Sequence, residues 1–166
     1  MIEFLEAEAG IRQLHAHYTD SAWRQDLTAF GDCFTIDAEW RISGMVMRGR
    51  HEIASGFGGV VARCNRVLIS FRNPQVDLTG RGRASARTYV TEQCSWHDKP
   101  PNMNIGRYYD RAVLDGDRWR FSWRLFQLLY SGPPDLTGAY HEHPDYGAWP
   151  GMPPRDAVPA AAPGRD

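Results

Sequence analysis

The second half of the chain is dominated by long segments in which apolar and polar side chains alternate. One such segment is "ASARTYVTEQCSW", residues 84–96. Two more lie in "IGRYYDRAVLDGDRWRFSWRLFQLLY", residues 105–130, joined at Asp115-Gly116-Asp117. A period of two is typical of half-buried β-strands, and an Asp-Gly pair between such runs is typical of a hairpin turn. Together with "VLISFRNPQVDLTG", they predict a meander of about four antiparallel strands.

Helical periodicity in the first third of the chain predicts helices that pack against such a sheet. Apolar residues recur at helical spacing from Ile2 to Ala22, which predicts a helix over residues 2–23. Asp26 is placed to cap a short second helix in "LTAFGDCF", and a third helix is predicted in "RHEIASGFGGVVARC". Short strands are predicted between them, in "AEWRISG" and "MVMRG". This order predicts an α+β domain whose sheet curls around its helices.

The character of the sequence changes near residue 131. Eight of the eleven prolines lie between Pro133 and Pro163. We therefore predict one domain over residues 1–131 and a proline-rich extension over residues 132–166. The part of the extension that ends near Trp149 keeps aromatic residues and is expected to pack irregularly on the body or on a neighbouring subunit. The end, "PPRDAVPAAAPGRD", is expected to be disordered.

Composition excludes several classes of function and location. The formal net charge is −1, so nothing in the global electrostatics favours nucleic acid or an anionic membrane as a partner. The acidic start "MIEFLEAEAG" does not resemble a signal peptide, and no apolar run approaches the roughly 20 residues that span a bilayer. The three cysteines are far apart and show no C-x-x-C spacing. We expect a soluble, cytoplasmic protein with reduced thiols.

Several motifs follow one another in a recognisable order. The first helix carries I-x-x-L-x-x-x-Y, followed by F-x-x-D-A-x-W-x-x-x-G, G-x-x-E-I, "GRYYDR" and "DGDRWRFSWR". Over roughly residues 8–130, this pattern resembles the SnoaL-like branch of the nuclear-transport-factor-2-like superfamily. The resemblance implies a cone, in which a strongly curved mixed sheet and about three helices enclose a deep pocket.

Members of that superfamily have unrelated activities. They include ketosteroid isomerase, scytalone dehydratase, bile-acid 7α-dehydratase, hexachlorocyclohexane dehydrochlorinase, polyketide cyclases and small subunits of ring-hydroxylating dioxygenases. The fold therefore does not determine the function, and the site must be argued from individual residues.

The resemblance to ketosteroid isomerase implies two hydrogen-bond donors. Its tyrosine on the first helix corresponds to Tyr18, and its aspartic acid on a late strand corresponds to Asp110. In that enzyme the two groups donate to an enolate oxygen, and the acid is kept neutral by an apolar site. The general base of the same enzyme would fall near Ile42, which cannot transfer a proton.

The resemblance to the dehydratases and the dehydrochlorinase implies an Asp–His pair that this chain lacks. The aspartate position holds Trp23, and the histidine position holds Ile69. An arginine similar to the pocket arginine of the dehydrochlorinase remains as Arg124, in "SWRLF". By this comparison the chain keeps the donors and loses the known bases.

These arguments give four candidate catalytic residues. Tyr18 and Asp110 would stabilise negative charge on oxygen, and Arg124 would orient the substrate or tune Asp110. His15 lies one helical turn before Tyr18 and is the nearest group suited to proton transfer near neutral pH. Five further residues are predicted to contact the substrate: Trp23, Trp40, Tyr108, Ile69 and Phe126.

Two questions stay open at this level. A salt bridge between Asp110 and Arg124 would leave Asp110 ionised and unable to donate a hydrogen bond. Glu92 and Cys94 share one face of their strand and could supply an acid or base, but the sequence does not say whether that face points inward.

The function that these residues favour is cofactor-free lyase, isomerase or cyclase chemistry on a small, apolar, oxygenated molecule, through an enol-like intermediate. We expect no cofactor, no metal and a homodimer or higher homo-oligomer. The alternative is a non-catalytic ligand-binding or scaffolding subunit, similar to the small subunit of a ring-hydroxylating dioxygenase. A pocket filled by its own side chains, Trp23 among them, would favour that alternative.

Overall fold

The computed structural model describes residues 1–143, and the helices and strands follow the predicted order. The predictions for the C-terminal end, including the packing of Tyr146 and Trp149 and the disorder of the last residues, lie outside the described residues. The elements are α1 (Ile2–Arg24), α2 (Leu27–Gly31), β1 (Phe34–Ile42), β2 (Met45–Arg48), α3 (Arg50–Val61), β3 (Cys64–Phe71), β4 (Gln75–Gly80), β5 (Arg83–Trp96), β6 (Asn102–Asp115), β7 (Arg118–Gly132) and β8 (Ala139–Tyr140).

The eight strands form one curved mixed sheet that does not close on itself. Its main order is β2-β1-β7-β6-β5-β3, with β4 paired to β5 and β8 paired to β7. Strand β1 runs parallel to β7, and every other pairing is antiparallel. The α+β class and the curved mixed sheet are confirmed.

Local sequence signals account for the boundaries of several elements. The Asp26 side chain accepts a hydrogen bond from the Ala29 backbone N–H at 2.9 Å and so caps α2 as predicted. The β1–β2 turn is Ser43-Gly44, both with positive φ, as a two-residue hairpin turn of type I′ requires. Pro74 lies between β3 and β4, which successively pair with β5 and form one interrupted edge.

The main core lies between the helices and the sheet face that they cover. Helix α1 packs against β3 and β7, and α3 packs against β1 and β2. Aromatic rings fill much of the space, and the rings of Phe30 and Phe57 stack with centroids 3.8 Å apart. None of the helices within residues 1–143 is both long and apolar enough to cross a membrane.

Candidate active site

A cavity of about 270 Å³ lies between helices α1 and α3 and the covered face of the sheet. Its walls are mostly apolar, and six strands, β1, β2, β3, β5, β6 and β7, contribute side chains to them. The larger wall residues include Trp40, Met47, Phe57, Ile69, Trp96 and Phe126. An apolar cavity with a few convergent polar groups is the usual form of a small-molecule site.

Two tyrosine hydroxyls form a polar pair inside this cavity. The Tyr18 oxygen, on α1, lies 3.4 Å from the Tyr108 oxygen, on β6. Both side chains are buried, and burial raises the pKa of each phenol well above its ordinary value. The two groups are therefore protonated at neutral pH and can donate hydrogen bonds to an oxygen atom of a ligand.

A carboxyl group lines the same cavity. Glu92 projects from β5, and burial in these apolar surroundings raises its pKa to about 7. A hydrogen bond from Asn104 and the charge of Arg124 offset part of this rise. Glu92 is thus poised to exchange a proton near neutral pH, which is what a general acid or base requires.

Hydrogen bonds fix the orientation of the Asn104 side chain beside Glu92. Asn102 Nδ2 and Ser131 Oγ each donate to Asn104 Oδ1, both at 2.9 Å. With its oxygen used in this way, Asn104 directs its amide N–H groups toward Glu92, which is its cross-strand partner. The Glu92 carboxyl group is therefore hydrogen-bonded by Asn104, whose orientation is fixed by two further hydrogen bonds.

Behind the tyrosine rings lies a buried ion pair. Arg124 donates from Nε to Asp110 Oδ1 at 2.7 Å and from Nη2 to Oδ2 at 3.0 Å. Burial alone would raise the pKa of Asp110, but the charge and hydrogen bonds of Arg124 outweigh it and hold that pKa below its ordinary value. The guanidinium carbon also lies 3.7 Å from the ring centroid of Tyr108 and 4.7 Å from that of Tyr18.

His15 stands next to this ion pair and outside the cavity. Its Nε2 lies 3.6 Å from Asp110 Oδ2, which is too long for a hydrogen bond, and its ring stacks on Phe71. Burial lowers the pKa of His15, so the imidazole is neutral at pH 7. The residue lines a separate surface groove between α1 and β3, to which Ile69 also contributes.

In the structure, most of the site residues predicted from sequence fall into two adjacent groups, one lining the cavity and one behind it. Four of them line the cavity in addition to Tyr18: Trp40, Ile69, Tyr108 and Phe126. Asp110, Arg124 and His15 form the cluster behind it. Within residues 1–143, no three His, Cys, Asp or Glu side chains are grouped closely enough to bind a metal ion.

Two expectations are corrected by this geometry. Trp23 is not a wall of the cavity, because it follows the buried stripe of α1 by one residue; it is 46% exposed, with Arg66 over its ring. Asp110 is not a neutral donor, because Arg124 binds both carboxylate oxygens and keeps the group ionised. Tyr108 instead stands beside Tyr18 as the second donor.

Glu92 is the functional group that the sequence left undecided. The alternation along β5 could have decided it, because Ala86, Thr88 and Val90 have the same parity as Glu92 and are buried. Small and apolar neighbours of the same parity mark that face as the inner one. Glu92 lies on this inner face of β5, and its carboxyl group is therefore directed toward the cavity.

Comparisons with known proteins agree with this architecture. The family model for a SnoaL-like domain matches residues 3–124. A protein from Novosphingobium aromaticivorans, assigned provisionally as a scytalone dehydratase, is 16% identical with a TM-score of 0.75, over 83% of this chain and 94% of that one. Hexachlorocyclohexane dehydrochlorinase type 3 from Novosphingobium barchaimii is 16% identical with a TM-score of 0.72, over 86% and 99%.

A third similar structure, ActVI-ORFA from Streptomyces coelicolor, is 19% identical with a TM-score of 0.62, over 72% of this chain and 95% of that one. No curated protein matches the sequence. At these identities the structural neighbours establish a shared fold, and the chemistry must be argued from the cavity itself.

Proposed function

We propose, on the premise that this chain belongs to the SnoaL-like domain family, that its cavity performs cofactor-free lyase, isomerase or cyclase chemistry. The substrate would be a small, largely apolar molecule that carries a carbonyl group. The observation that carries the proposal is Glu92, a carboxyl group with a pKa of about 7 in the same cavity as two tyrosine hydroxyls.

The first step assigned to this site is removal of a proton from a carbon next to the carbonyl group. The Glu92 carboxylate accepts that proton, and the electron pair of the C–H bond moves into an enolate. Tyr18 and Tyr108 donate hydrogen bonds to the enolate oxygen, where negative charge develops. A base whose pKa lies near the working pH is the most effective for such a transfer.

The second step depends on the substrate. Return of the proton from Glu92 to a different carbon gives an isomerase. Departure of a leaving group from the β-carbon, with protonation by Glu92 where that group is hydroxide, gives a lyase. Attack of the enolate carbon on a second carbonyl carbon, whose oxygen takes the electron pair of its C=O bond and the proton from Glu92, gives a cyclase. All three reactions share one intermediate, so the same residues serve each of them.

The role of Glu92 replaces the roles first considered for Asp110 and His15. Asp110 is held as an anion by Arg124, and His15 lies outside the cavity, so neither supports proton transfer to a ligand in it. The cavity is also open rather than filled by its own side chains, which supports ligand binding over a purely scaffolding role.

The proposal is tested by following the exchange of a ketone's α-protons for deuterium, catalysed by the protein. Fused-ring ketones that can enolise, such as 1-tetralone, are incubated with the protein in D₂O, and loss of the α-proton signal is followed by NMR. The exchange rate is expected to rise with pH, with a midpoint near 7. Glu92→Gln is expected to slow it by about 10²- to 10⁴-fold, because it removes the base.

The matched control is Asp77→Asn, which makes the same chemical change on an exposed position of β4. Binding of 2-naphthol, an enolate mimic, is followed in parallel by tryptophan fluorescence, since Trp40 and Trp96 line the cavity. Tight binding of 2-naphthol without exchange of any ketone above the buffer rate would contradict the proposal. That result would instead support a non-catalytic ligand-binding subunit.

A further inference from the structure

The mouth of the cavity is formed by three segments of chain. These are the β1–β2 turn, the end of α3 and the end of β5. Exposed residues of these segments line the cavity, among them Met45 at 52% and Val60 at 42%, and Trp96 at the end of β5 is partly buried. Backbone contact joins two of the segments, because the His97 N–H donates to the Arg63 carbonyl at 3.1 Å.

Two cationic side chains lie over the indole ring of Trp96. Lys99 Nζ is 3.9 Å from the ring centroid, and the Arg63 guanidinium carbon is 5.8 Å from it. Lys99 also acts on the cavity electrostatically. Burial raises the pKa of the Cys94 thiol, which lines the cavity, to about 12, and Lys99 offsets part of that rise.

Neither cation has a carboxylate partner within residues 1–143. No oxygen of an acidic side chain lies within 4.0 Å of Lys99 Nζ or of the Arg63 guanidinium, whereas Arg24, Arg50 and Arg124 each have such a partner.

The nearby acidic side chain is Asp98. Its charge acts together with Lys99 and Arg63 on the Cys64 thiol but makes no ion pair with either cation. Two positive charges and one negative charge leave a net positive charge beside an apolar cavity. Such a site is complementary to a ligand that is apolar in its body and anionic at one end.

The charges inside the cavity favour the same orientation of the ligand, with its anionic end at the mouth. Glu92 is the acidic side chain that lines it, and none of the lining residues in the described part of the chain is an arginine or lysine. The nearby Arg124 lies behind the tyrosine rings, where both oxygens of Asp110 already bind it. A ligand anion deep in the cavity would therefore face the Glu92 carboxyl group without a cation in direct contact. An anionic group on the ligand is therefore best placed at the mouth, with the carbonyl end toward Tyr18 and Tyr108.

We propose that the substrate carries a carboxylate, which Lys99 and Arg63 bind at the mouth while its apolar rings fill the cavity. This inference rests on the proposed function and narrows its substrate class. Lys99 and Arg63 are then specificity-determining residues that do not take part in proton transfer.

The test compares three naphthols in binding titrations followed by tryptophan fluorescence. 2-Naphthol has no carboxylate, 6-hydroxy-2-naphthoate has one far from its hydroxyl, and 3-hydroxy-2-naphthoate has one next to its hydroxyl. At low ionic strength, 6-hydroxy-2-naphthoate is expected to bind about fivefold more tightly than 2-naphthol, as is typical of a solvent-exposed ion pair. 3-Hydroxy-2-naphthoate is expected to bind more weakly than either.

Substitution of the two cations should remove this preference and nothing else. The double variant Lys99→Met, Arg63→Met keeps linear side chains over Trp96 but carries no charge. It is expected to bind both ligands equally, with an unchanged affinity for 2-naphthol. The matched control is Arg66→Met, which removes a cation from above the Trp23 ring, outside the cavity. It should leave the fivefold preference intact.

A direct readout is available because Lys99 is the only lysine of the chain. Reductive ¹³C-methylation keeps its charge and gives a single side-chain NMR signal besides that of the N-terminus. That signal should shift with 6-hydroxy-2-naphthoate more than with 2-naphthol. Equal affinities and equal shifts for the two ligands would overturn this inference and leave the proposed function standing. Failure of 2-naphthol to bind would overturn both.

Discussion

Two carboxyl groups on neighbouring strands, Asp110 on β6 and Glu92 on β5, have opposite properties. Asp110 is fully buried and Glu92 is partly buried where it lines the cavity, and in both places burial acts to raise the pKa of the carboxyl group. Asp110 has a guanidinium bound to both of its oxygens and stays ionised, whereas Glu92 has an amide neighbour and a pKa of about 7. The difference shows that the partner, more than the burial, decides whether such a group is structural or can transfer protons.

The largest effect is expected from breaking the ion pair on one side. Arg124→Met removes the cation that binds both oxygens of the buried Asp110. His15 Nε2, 3.6 Å from Asp110 Oδ2, is then the remaining neighbour, and burial still opposes its protonation. The free energy of unfolding, measured in urea at pH 7, should fall by about 3–5 kcal/mol.

The matched control removes both charges at once. The double variant Asp110→Leu, Arg124→Met leaves no unpaired charge and should recover much of the lost stability. If the double variant were less stable than Arg124→Met alone, the two charges would not form a structural unit.

The next effect concerns the pH dependence of stability that Glu92 causes. The pKa of Glu92 is about 7 in the folded protein and about 4.3 in the unfolded chain, so between these pH values the native state keeps a proton that the unfolded chain has released. Stability therefore decreases as the pH rises from about 4 to about 7, and stays lower above that range.

Glu92→Gln removes this loss of folding stability at higher pH, because the amide has no proton to release. In urea unfolding, the variant should be more stable than the wild type by about 2 kcal/mol at pH 8 and nearly equal to it at pH 4. Asp77→Asn, at an exposed site, should show no such divergence. A Glu92→Gln variant that is less stable at pH 8 would mean that Glu92 is ionised and well solvated.

A smaller change is expected when the neighbour of Glu92 is altered. Asn104→Leu removes the hydrogen bond that favours the carboxylate, so the pKa of Glu92 should rise further, by about one pH unit. The ¹³C signal of the Glu92 carboxyl group, followed by NMR, measures the midpoint. Ser131→Ala removes one of the two hydrogen bonds that orient Asn104 but leaves Asn104 in place. It should therefore raise the pKa of Glu92 by a smaller amount. A midpoint that falls in Asn104→Leu would contradict this account.

The smallest effect is expected at Trp23. Trp23→Phe should change the free energy of unfolding by less than about 0.5 kcal/mol, as surface substitutions usually do, and leave the affinity for 2-naphthol unchanged. Trp40→Phe, the same substitution on the wall of the cavity, should change both the affinity and the fluorescence response. Equal responses of the two variants would place Trp23 at the ligand.

Sequence reasoning predicted most of the local structure, because local signals determine it. The alternation in residues 84–96 and 105–130 and the Asp115-Gly116-Asp117 turn predict the hairpins of β5, β6 and β7. The capping of α2 by Asp26 is equally local. The parallel pairing of β1 with β7 has no local signal, since it joins distant segments, and its mixed sheet was expected only from the family resemblance.

The candidate site was predictable in composition and less so in arrangement. The resemblance to ketosteroid isomerase implied Tyr18, Tyr108 was predicted as a substrate contact, and both line the cavity. The roles of Asp110 and Glu92 depend on whether the side chain reaches a cation across the sheet, as Asp110 does and Glu92 does not, and sequence spacing does not determine that distance. Trp23, predicted to contact the substrate, has an exposed indole and does not line the cavity.

The parallel pairing of β1 with β7 also has a consequence for how the protein folds. Phe34 lies opposite Phe121 in this pairing, and the cavity takes walls from both strands, Trp40 from one and Phe126 from the other. During synthesis, the helices and β1 therefore emerge long before the strand that completes their core. The cavity becomes able to bind a ligand only after β7 has left the ribosome, so a ligand can stabilise the finished domain but cannot assist the early stages of its folding.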